Sequence, residues 1–388
     1  MRRKSLVFLL CCMFAMSSLA AGQRYTITDL GPLEPTGINS WAQVIGNYNG
    51  RAYTWTKWGG FRNLGLLPGG TFSQATAIND RGWVVGTGNG PGIVISPFPG
   101  RSNEQCNDLT QPFLWTPSQG MLALGAVAVS SSLSSWCGLP FHGSGLNDSG
   151  QVVGYNDDMG TTYQDAFIWT RSAGMTLLGP NYPPSMTHDI NMKGEIAGEA
   201  CTNSIEIGHA STWKDDTRTD LGTLDAGANT TEELWASGAD GVDNVGRVVG
   251  WSSTLPVYIA YQGYQTVPVH AVIWNSSGVI RDLGTLGGDT SSAAYKINLF
   301  GLVIGSSGNF DWAMWQPHGA PFEVPGRPFF WSERTGMQEL NTLIPQNSGW
   351  LLKTTTDINV WGQIVGSGTR NGHRHGFLLT PLNPFQVF

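Results

Sequence analysis

A nine-residue pattern of apolar and polar positions recurs along this chain. It consists of an aliphatic residue, Asn or Asp, two variable residues, usually Gly, one variable residue, two aliphatic or small residues, and a closing Gly. The seven copies begin at Ile38, Ile78, Leu146, Ile190, Val242, Ile297 and Ile358. They close at Gly46, Gly86, Gly154, Gly198, Gly250, Gly305 and Gly366. Self-similarity at this spacing is the signature of a repeat architecture.

The unit around Ile190 shows what one repeat builds. Asn191 and Gly194 form a short hairpin turn, because Asn bonds its own backbone and Gly accepts a positive φ. A strand precedes this turn and a second follows it. Residues 209–213 then form a third strand ending in Trp, and residues 219–222 form a fourth. We expect the repeated Trp to pack between neighbouring sheets; the functional alternative is a platform on which carbohydrate stacks.

The two ends of the chain complement each other. The seventh unit finishes at residues 377–381 without a fourth strand, whereas residues 25–31 resemble a fourth strand that lacks the other three. Pairing them would complete the seventh unit and join the ends of a ring. The sequence therefore predicts an all-β fold, a closed seven-bladed β-propeller of four-stranded blades.

The combined motifs resemble the HAF-repeat family of bacterial exported proteins, named after a His-Ala-Phe tripeptide. Asp282 to Gly288 followed by Ile297-Asn298 is nearly a full copy of its consensus, and Leu66 through Gly86 is another. His209-Ala210 and His270-Ala271 keep two residues of the tripeptide. Departures from the pattern are Ala42 for the turn Gly, Asp243 for Asn and Leu379 for Trp. The resemblance implies export and a repeat fold, and it transfers no catalytic residue.

The first residues are typical of an export signal. Arg2, Arg3 and Lys4 precede an apolar stretch, and Ser18-Leu19-Ala20 provides a small-x-small cleavage site. We therefore predict a signal peptide at residues 1–21 and a single propeller domain at residues 22–388. No further membrane-spanning segment is predicted after cleavage. The protein is expected outside the cell or in a bacterial periplasm.

Composition narrows the possible partners. The chain has 52 Gly, 16 Trp and only 13% charged residues, which favours many tight turns. Its net charge of −7 argues against nucleic acid, which requires a basic face. An exported chain favours a disulfide between Cys106 and Cys137, which leaves Cys201 odd. We predict no metal site and no cofactor.

Catalytic signatures are missing from the sequence. Nucleophile elbows, P-loops, HExxH and complete EF-hand loops do not occur. His209, His270 and His375 share one position at the entry to the third strand, where local hydrogen bonding is the expected role. The longest insertions, which are candidates for binding loops, are residues 88–110, 126–143, 252–268 and 308–326.

A set of polar residues stands just before the Ile-Asn positions, where the first strand of each blade would line a central channel. The candidate ligand-binding residues are His188, Asp189, Asp240, Tyr295, Lys296 and Asp357. Asp189, Asp240 or Asp357 with His188 could instead serve acid–base chemistry on a glycan. A solvated rim without function is the third interpretation, and because side-chain direction alternates along a strand, not all of these residues need point inward.

These observations favour an exported binding module for an extracellular glycan or protein, and a non-enzymatic role over an enzymatic one. The alternatives are a glycan-cleaving hydrolase that uses the channel carboxylates and a structural envelope protein. Fold alone does not separate them, because propellers serve many functions.

Overall fold

The computed structural model describes residues 23–128, 135–156, 165–178, 185–201, 208–224, 235–256, 259–260, 263–264, 267–310 and 326–383. Over these ranges the chain is almost entirely β-structure and forms seven sheets with four antiparallel strands each. The predicted seven-bladed propeller is thus confirmed. We number the blades 1 to 7 in the order of their Asn-x-x-Gly turns. The predicted signal peptide lies outside the described residues.

Strands are named first to fourth from the centre of each blade outward. The first strands are Glu34–Ile38, Ser73–Ile78, Phe141–Leu146, Ser185–Ile190, Ser237–Val242, Ser291–Ile297 and Trp350–Ile358. The second strands are Val44–Tyr48, Val84–Ile95, Val152–Asn156, Ile196–Cys201, Val248–Ser253, Val303–Gly308 and Ile364–Arg370. The third strands are Arg51–Thr56, Glu104–Thr116, Ala166–Thr170, Gly208–Lys214, Val269–Trp274, Arg327–Ser332 and His373–Pro381. The fourth strands are Gly60–Asn63, Gly120–Ala123, Gly174–Leu177, Thr217–Asp220, Ile280–Gly284, Gly336–Glu339 and, in blade 7, Tyr25–Asp29.

A few short elements lie outside this scheme. Ala126–Val127 pairs in parallel with the end of Val84–Ile95 and adds a fifth strand to blade 2. Ile259–Ala260 and Gly263–Tyr264 form a small hairpin between the second and third strands of blade 5. A single 3₁₀ turn, Leu340–Thr342, follows blade 6. Within the described ranges no helix is long and apolar enough to cross a bilayer.

The ring closes through the N-terminal strand, as predicted. Tyr25–Asp29 pairs antiparallel with His373–Pro381, in a register that runs from Tyr25 opposite Pro381 to Asp29 opposite Phe377. Tyr25 is fully buried, and its ring meets Phe330 of blade 6 edge-on with centroids 6.4 Å apart. Asp29 accepts a hydrogen bond from the backbone of Gly31 and contacts Nδ1 of His375 at 2.8 Å. Both termini of the ring are therefore held by one blade.

The closing Gly of each repeat is required by a close approach of two strands. A Cβ atom on Gly154 would lie under 3.0 Å from the carbonyl oxygen of His142 and from the ring of Phe167. A Cβ atom on the equivalent Gly of every other blade would likewise lie under 3.0 Å from the equivalent carbonyl oxygen of the first strand. The third-strand Trp packs between blades, as expected: buried Trp213 of blade 4 lies against Val153 and Ala166 of blade 3.

The two faces of the ring differ in their connections. In an antiparallel four-stranded blade, the turns between strands one and two and between strands three and four leave on one side. We call this side the turn face. The other connections leave on the opposite side, the loop face. The strands that flank the four long insertions, residues 88–110, 126–143, 252–268 and 308–326, are strands two and three of one blade or strands of successive blades, so each insertion begins and ends at the loop face.

Blade 2 carries the longest hairpin, Val84–Ile95 with Glu104–Thr116. A disulfide joins Cys106 on this hairpin to Cys137 on the connection to blade 3. Buried Trp136 lies next to it, with the guanidinium of Arg101 4.2 Å from the ring centroid. The carboxylate of Glu104 accepts a 2.7 Å bond from the backbone N–H of Trp136. The disulfide thus joins the long hairpin of blade 2 to the connection that leads into blade 3.

Candidate functional site

The first strands surround a central channel, a cavity with a volume of about 770 Å³. The first strands of neighbouring blades contact each other around the whole ring and form its wall. All six predicted binding residues line this channel: His188, Asp189, Asp240, Tyr295, Lys296 and Asp357. The sequence thus placed these residues in the wall of the channel, and it left open which of their side chains point inward.

A β-bulge explains why consecutive residues both face the channel. In every blade the register of the first strand shifts at the position three residues before the turn Asn or Asp. A bulge places two residues opposite one on the partner strand and redirects side chains. The bulged residues are Thr36, Thr76, Ser144, His188, Asp240, Tyr295 and Thr356. The residues that follow them are Gly37, Ala77, Gly145, Asp189, Gly241, Lys296 and Asp357.

Two of the three predicted carboxylates are engaged in bonds between blades. Asp189 accepts from the backbone N–H of its neighbour Ile190 at 3.0 Å and from Val242 of blade 5 at 3.2 Å. Asp357 accepts in the same way from Ile358 and from Ile38 of blade 1, both at 2.8 Å. Each carboxylate therefore joins two first strands, which is a structural role that the sequence did not reveal.

Lys296 completes this charged group. Its Nζ lies 3.1 Å from Oδ2 of Asp189. Burial lowers the pKa of Lys296, but the charges of Asp189 and Asp357 outweigh that effect and hold the pKa above its usual value. Burial raises the pKa of Asp357. The ammonium group thus stays charged and offsets two carboxylates that would otherwise repel each other in the channel wall.

The third carboxylate, Asp240, has a different environment. Burial, together with the charge of Glu199, raises its pKa to about 8, so the protonated form dominates at neutral pH. Nδ1 of His188 lies 3.7 Å from Oδ1 of Asp240. Tyr295 and Ser306 also line the cavity, and the hydroxyl of Ser306 interacts with that of Tyr295. This side of the channel therefore offers polar groups that a ligand could use.

The loop-side end of the channel has polar residues that sequence reasoning missed. His142 and Tyr155 stack with ring centroids 5.3 Å apart. Arg374 pairs with Glu34 at 3.3 Å. Lys353 lines the same cavity. These residues lie at strand ends outside the repeated motif, so no repeat signal could have identified them.

The turn-side end is held by a ring of amides. The side chain of each turn Asn accepts bonds from its own turn, as predicted, but its Nδ2 also donates to the main-chain carbonyl of the equivalent residue in the next blade. These donor–acceptor pairs are Asn39–Asn79, Asn79–Asn147, Asn147–Asn191, Asn191–Asp243, Asn298–Asn359 and Asn359–Asn39, at 2.8 to 3.1 Å. The recurrence of Asn within the chain was the available signal for this second role.

Blade 5 interrupts the ring because Asp243 has no amide to donate. Arg247 compensates for it: its Nε donates to Oδ2 of Asp243 at 2.7 Å, and its Nη2 donates to the carbonyl of Leu299 in blade 6 at 2.8 Å. The departure of this repeat from the pattern is thus matched by a second change four residues later.

The three related histidines have the local role expected from the sequence. Nδ1 of His209 lies 3.0 Å from a carboxylate oxygen of Asp220 on the fourth strand, and Nδ1 of His270 lies 2.8 Å from Asp282. His375 makes the corresponding contact with Asp29. Across the described ranges, no group of three or more His, Cys, Asp or Glu side chains is arranged to hold a metal ion.

No protein-family profile matches the chain, and no curated protein matches its sequence. Solved structures with a similar course of the chain include virginiamycin B lyase from Staphylococcus aureus, at 8% identity and a TM-score of 0.49, covering 91% of this chain and 99% of that one. Another is an oligogalacturonate lyase in complex with manganese, at 10% identity and a TM-score of 0.49, covering 94% and 96%. A gluconolactonase from Xanthomonas campestris has 10% identity and a TM-score of 0.34, covering 74% and 89%. At these levels the likenesses carry no information about ligand or activity.

Proposed function

We propose that this protein is an exported binding module that takes an extracellular glycan or protein at its central channel. The observation that carries the proposal is the use of the channel carboxylates. Asp189 and Asp357 hold backbone N–H groups of neighbouring blades and share Lys296, so they serve the ring instead of standing as a free pair for hydrolysis. Retaining and inverting glycosidases both need two available carboxyl groups.

We assign the ligand contacts to neighbouring residues of the channel wall. Asp240, Tyr295 and Ser306 line the cavity and contribute a carboxyl group and two hydroxyls to its wall. A few polar groups in the wall of a cavity are enough to fix the orientation of a bound ligand. Binding residues on rigid scaffolds are often in loops, so we expect the long insertions to add contacts.

One observation favours the hydrolase alternative. The raised pKa of Asp240 keeps a carboxylic acid protonated near neutral pH, which is the state that a general acid requires. His188 lies beside it. In that alternative Asp240 protonates a leaving group, and Asp189 or Asp357 must release a backbone bond to act as the second carboxylate.

The test is a glycan-array and pull-down screen on residues 22–388, with mass-spectrometric product analysis of every hit. We expect binding without product, weakened at least roughly tenfold by Asp240→Asn and by Tyr295→Phe. Asp216→Asn is the matched control, because Asp216 is exposed on an outer hairpin and its φ of 61° suits Asn.

The other outcomes are distinct. Cleaved product that disappears in Asp240→Asn would replace the proposal with the hydrolase alternative. A bound ligand that is indifferent to both channel substitutions would place the site elsewhere on the ring.

A further inference from the structure

A strip of side chains crosses the turn face from blade 7 to blade 3, beside the channel mouth. The indole N–H of Trp361 donates to the carbonyl of Ser40 at 2.9 Å, and that of Trp41 donates to the carbonyl of Asp80 at 3.0 Å. Oδ1 of Asp80 accepts from the backbone N–H of Ser40 at 2.8 Å, and Oδ1 of Asp148 accepts from that of Asp80 at 2.9 Å. These hydrogen bonds link Trp361, Ser40, Trp41, Asp80 and Asp148 into a continuous row. We call this row the tryptophan strip.

Both indoles of the tryptophan strip are exposed yet fixed. Trp41 is 77% exposed and Trp361 is 54% exposed. Their only polar atoms are already bonded to the next blade, so what they present to water is aromatic surface. A side chain that is held before a ligand arrives loses little conformational freedom on binding. Exposed apolar surface rimmed by polar residues marks interaction sites, and both indoles lie against polar groups of the neighbouring turns.

The fold itself does not require Trp at these positions. The residues in the same place in blades 2 to 6 are Arg81, Ser149, Lys193, Val245 and Phe300. Their turns keep the same hydrogen bond from the Gly N–H to the Asn carbonyl. The two tryptophans are therefore additions to a turn that forms without them, and they occur in adjacent blades.

The chemistry of the strip indicates its ligand. A sugar ring has an apolar C–H face and a rim of hydroxyl donors, which matches aromatic planes next to carboxylate acceptors. Asp80 and Asp148 use their Oδ1 atoms for the turn bonds, and among the described residues no bond occupies their Oδ2 atoms. Asp is depleted in the cores of protein–protein interfaces, so the exposed carboxylate of Asp80 beside Trp41 disfavours a protein partner here.

We propose that the tryptophan strip binds a linear, neutral or amino-sugar oligosaccharide. Trp41 and Trp361 stack on two of its sugar rings, and the carboxylates of Asp80 and Asp148 accept hydrogen bonds from its hydroxyls. An acidic saccharide is excluded by repulsion from the same carboxylates. This inference rests on the proposed binding function and gives it a ligand class and a second surface.

The test uses calorimetric titration of residues 22–388 with cellohexaose, chitohexaose and hexagalacturonate. We expect one of the first two to bind and the third to fail. Trp41→Ala and Trp361→Ala should each weaken binding roughly tenfold or more, because a Trp side chain that a ligand covers often contributes a large part of the binding energy. Trp41→Phe should retain most of the affinity, since it keeps a ring for stacking. Trp58→Ala is the matched control: Trp58 is 91% exposed on a hairpin turn of blade 1 outside the strip.

Three results would overturn this assignment, provided that thermal melting shows the variants folded. Equal affinity in Trp41→Ala, Trp361→Ala and Trp58→Ala, with loss in Tyr295→Phe, would move the saccharide into the channel and leave the proposed function intact. Tight binding of hexagalacturonate would refute the role of the carboxylates. Failure of wild type to bind any of the three hexasaccharides would reject the strip as a saccharide site, while a protein ligand could still satisfy the proposed function.

Discussion

Closure of the ring by the N-terminal strand can be tested through Tyr25. Its side chain is fully buried in a core that includes Phe330, Ile364 and Leu379. Replacing a buried aromatic residue by Ala typically costs about 3–5 kcal/mol, from lost burial and from the cavity left behind. We expect Tyr25→Ala to lower the free energy of unfolding by that amount, a large part of the total for an ordinary protein.

The hydroxyl of Tyr25 provides a second, opposite expectation. It is buried and has no hydrogen-bond partner among the described residues, and burial raises its pKa. An unsatisfied buried hydroxyl costs about 1–3 kcal/mol. Tyr25→Phe should therefore leave stability unchanged or raise it by about 1 kcal/mol, since the ring is kept and the unpaired group is removed.

Urea unfolding followed by tryptophan fluorescence measures both effects. Thr26→Ala is the control, because Thr26 lies on the same strand with its side chain exposed, and it should change stability by less than about 1 kcal/mol. The reasoning fails if Tyr25→Ala costs no more than Thr26→Ala, which would show that the strand is not part of the cooperative ring. It also fails if Tyr25→Phe is as damaging as Tyr25→Ala.

Three further predictions concern single positions. Arg247→Ala should destabilise the protein by about 3 kcal/mol because it leaves the carboxylate of Asp243 buried without its partner. The double variant Asp243→Asn with Arg247→Ala should recover most of that loss by restoring an amide to the ring, and a double-mutant cycle in urea measures the coupling. The pKa of Asp240 is raised in the folded state to about 8, so its protonated form favours folding. Wild-type stability should fall as pH rises from about 4 to about 8, by at most about 1.4 kcal/mol per pH unit, and a flat difference between wild type and Asp240→Asn over that range would contradict this. Ala42 has a φ of 59° where the other six turns have Gly, so Ala42→Gly should raise the melting temperature through a gain of about 1 kcal/mol; an unchanged or lower value would be inconsistent with strain in this turn.

Several features followed from the sequence alone because they depend on local rules that repeat. The Asn-x-x-Gly turn, the alternating strands and the third-strand Trp recur seven or nearly seven times, and repetition turns weak local signals into a reliable prediction of fold. The missing fourth strand of the last unit and the extra strand before Ile38 predicted closure, because unpaired strand edges are unstable. The channel location of residues such as Asp240 followed from the same register.

Tertiary structure decided what those residues do there. A bulge in each first strand, which no propensity signals, accompanies the placement of Asp240 in the channel wall. Contacts between blades gave Asp189 and Asp357 backbone N–H partners far away in the sequence. They likewise brought the indole of Trp361 onto Ser40. Hydrogen bonds between residues more than fifty positions apart depend on how blades pack around the ring, so the repeat determines the architecture, whereas the packing of unequal repeats determines the chemistry of the channel and of the turn face.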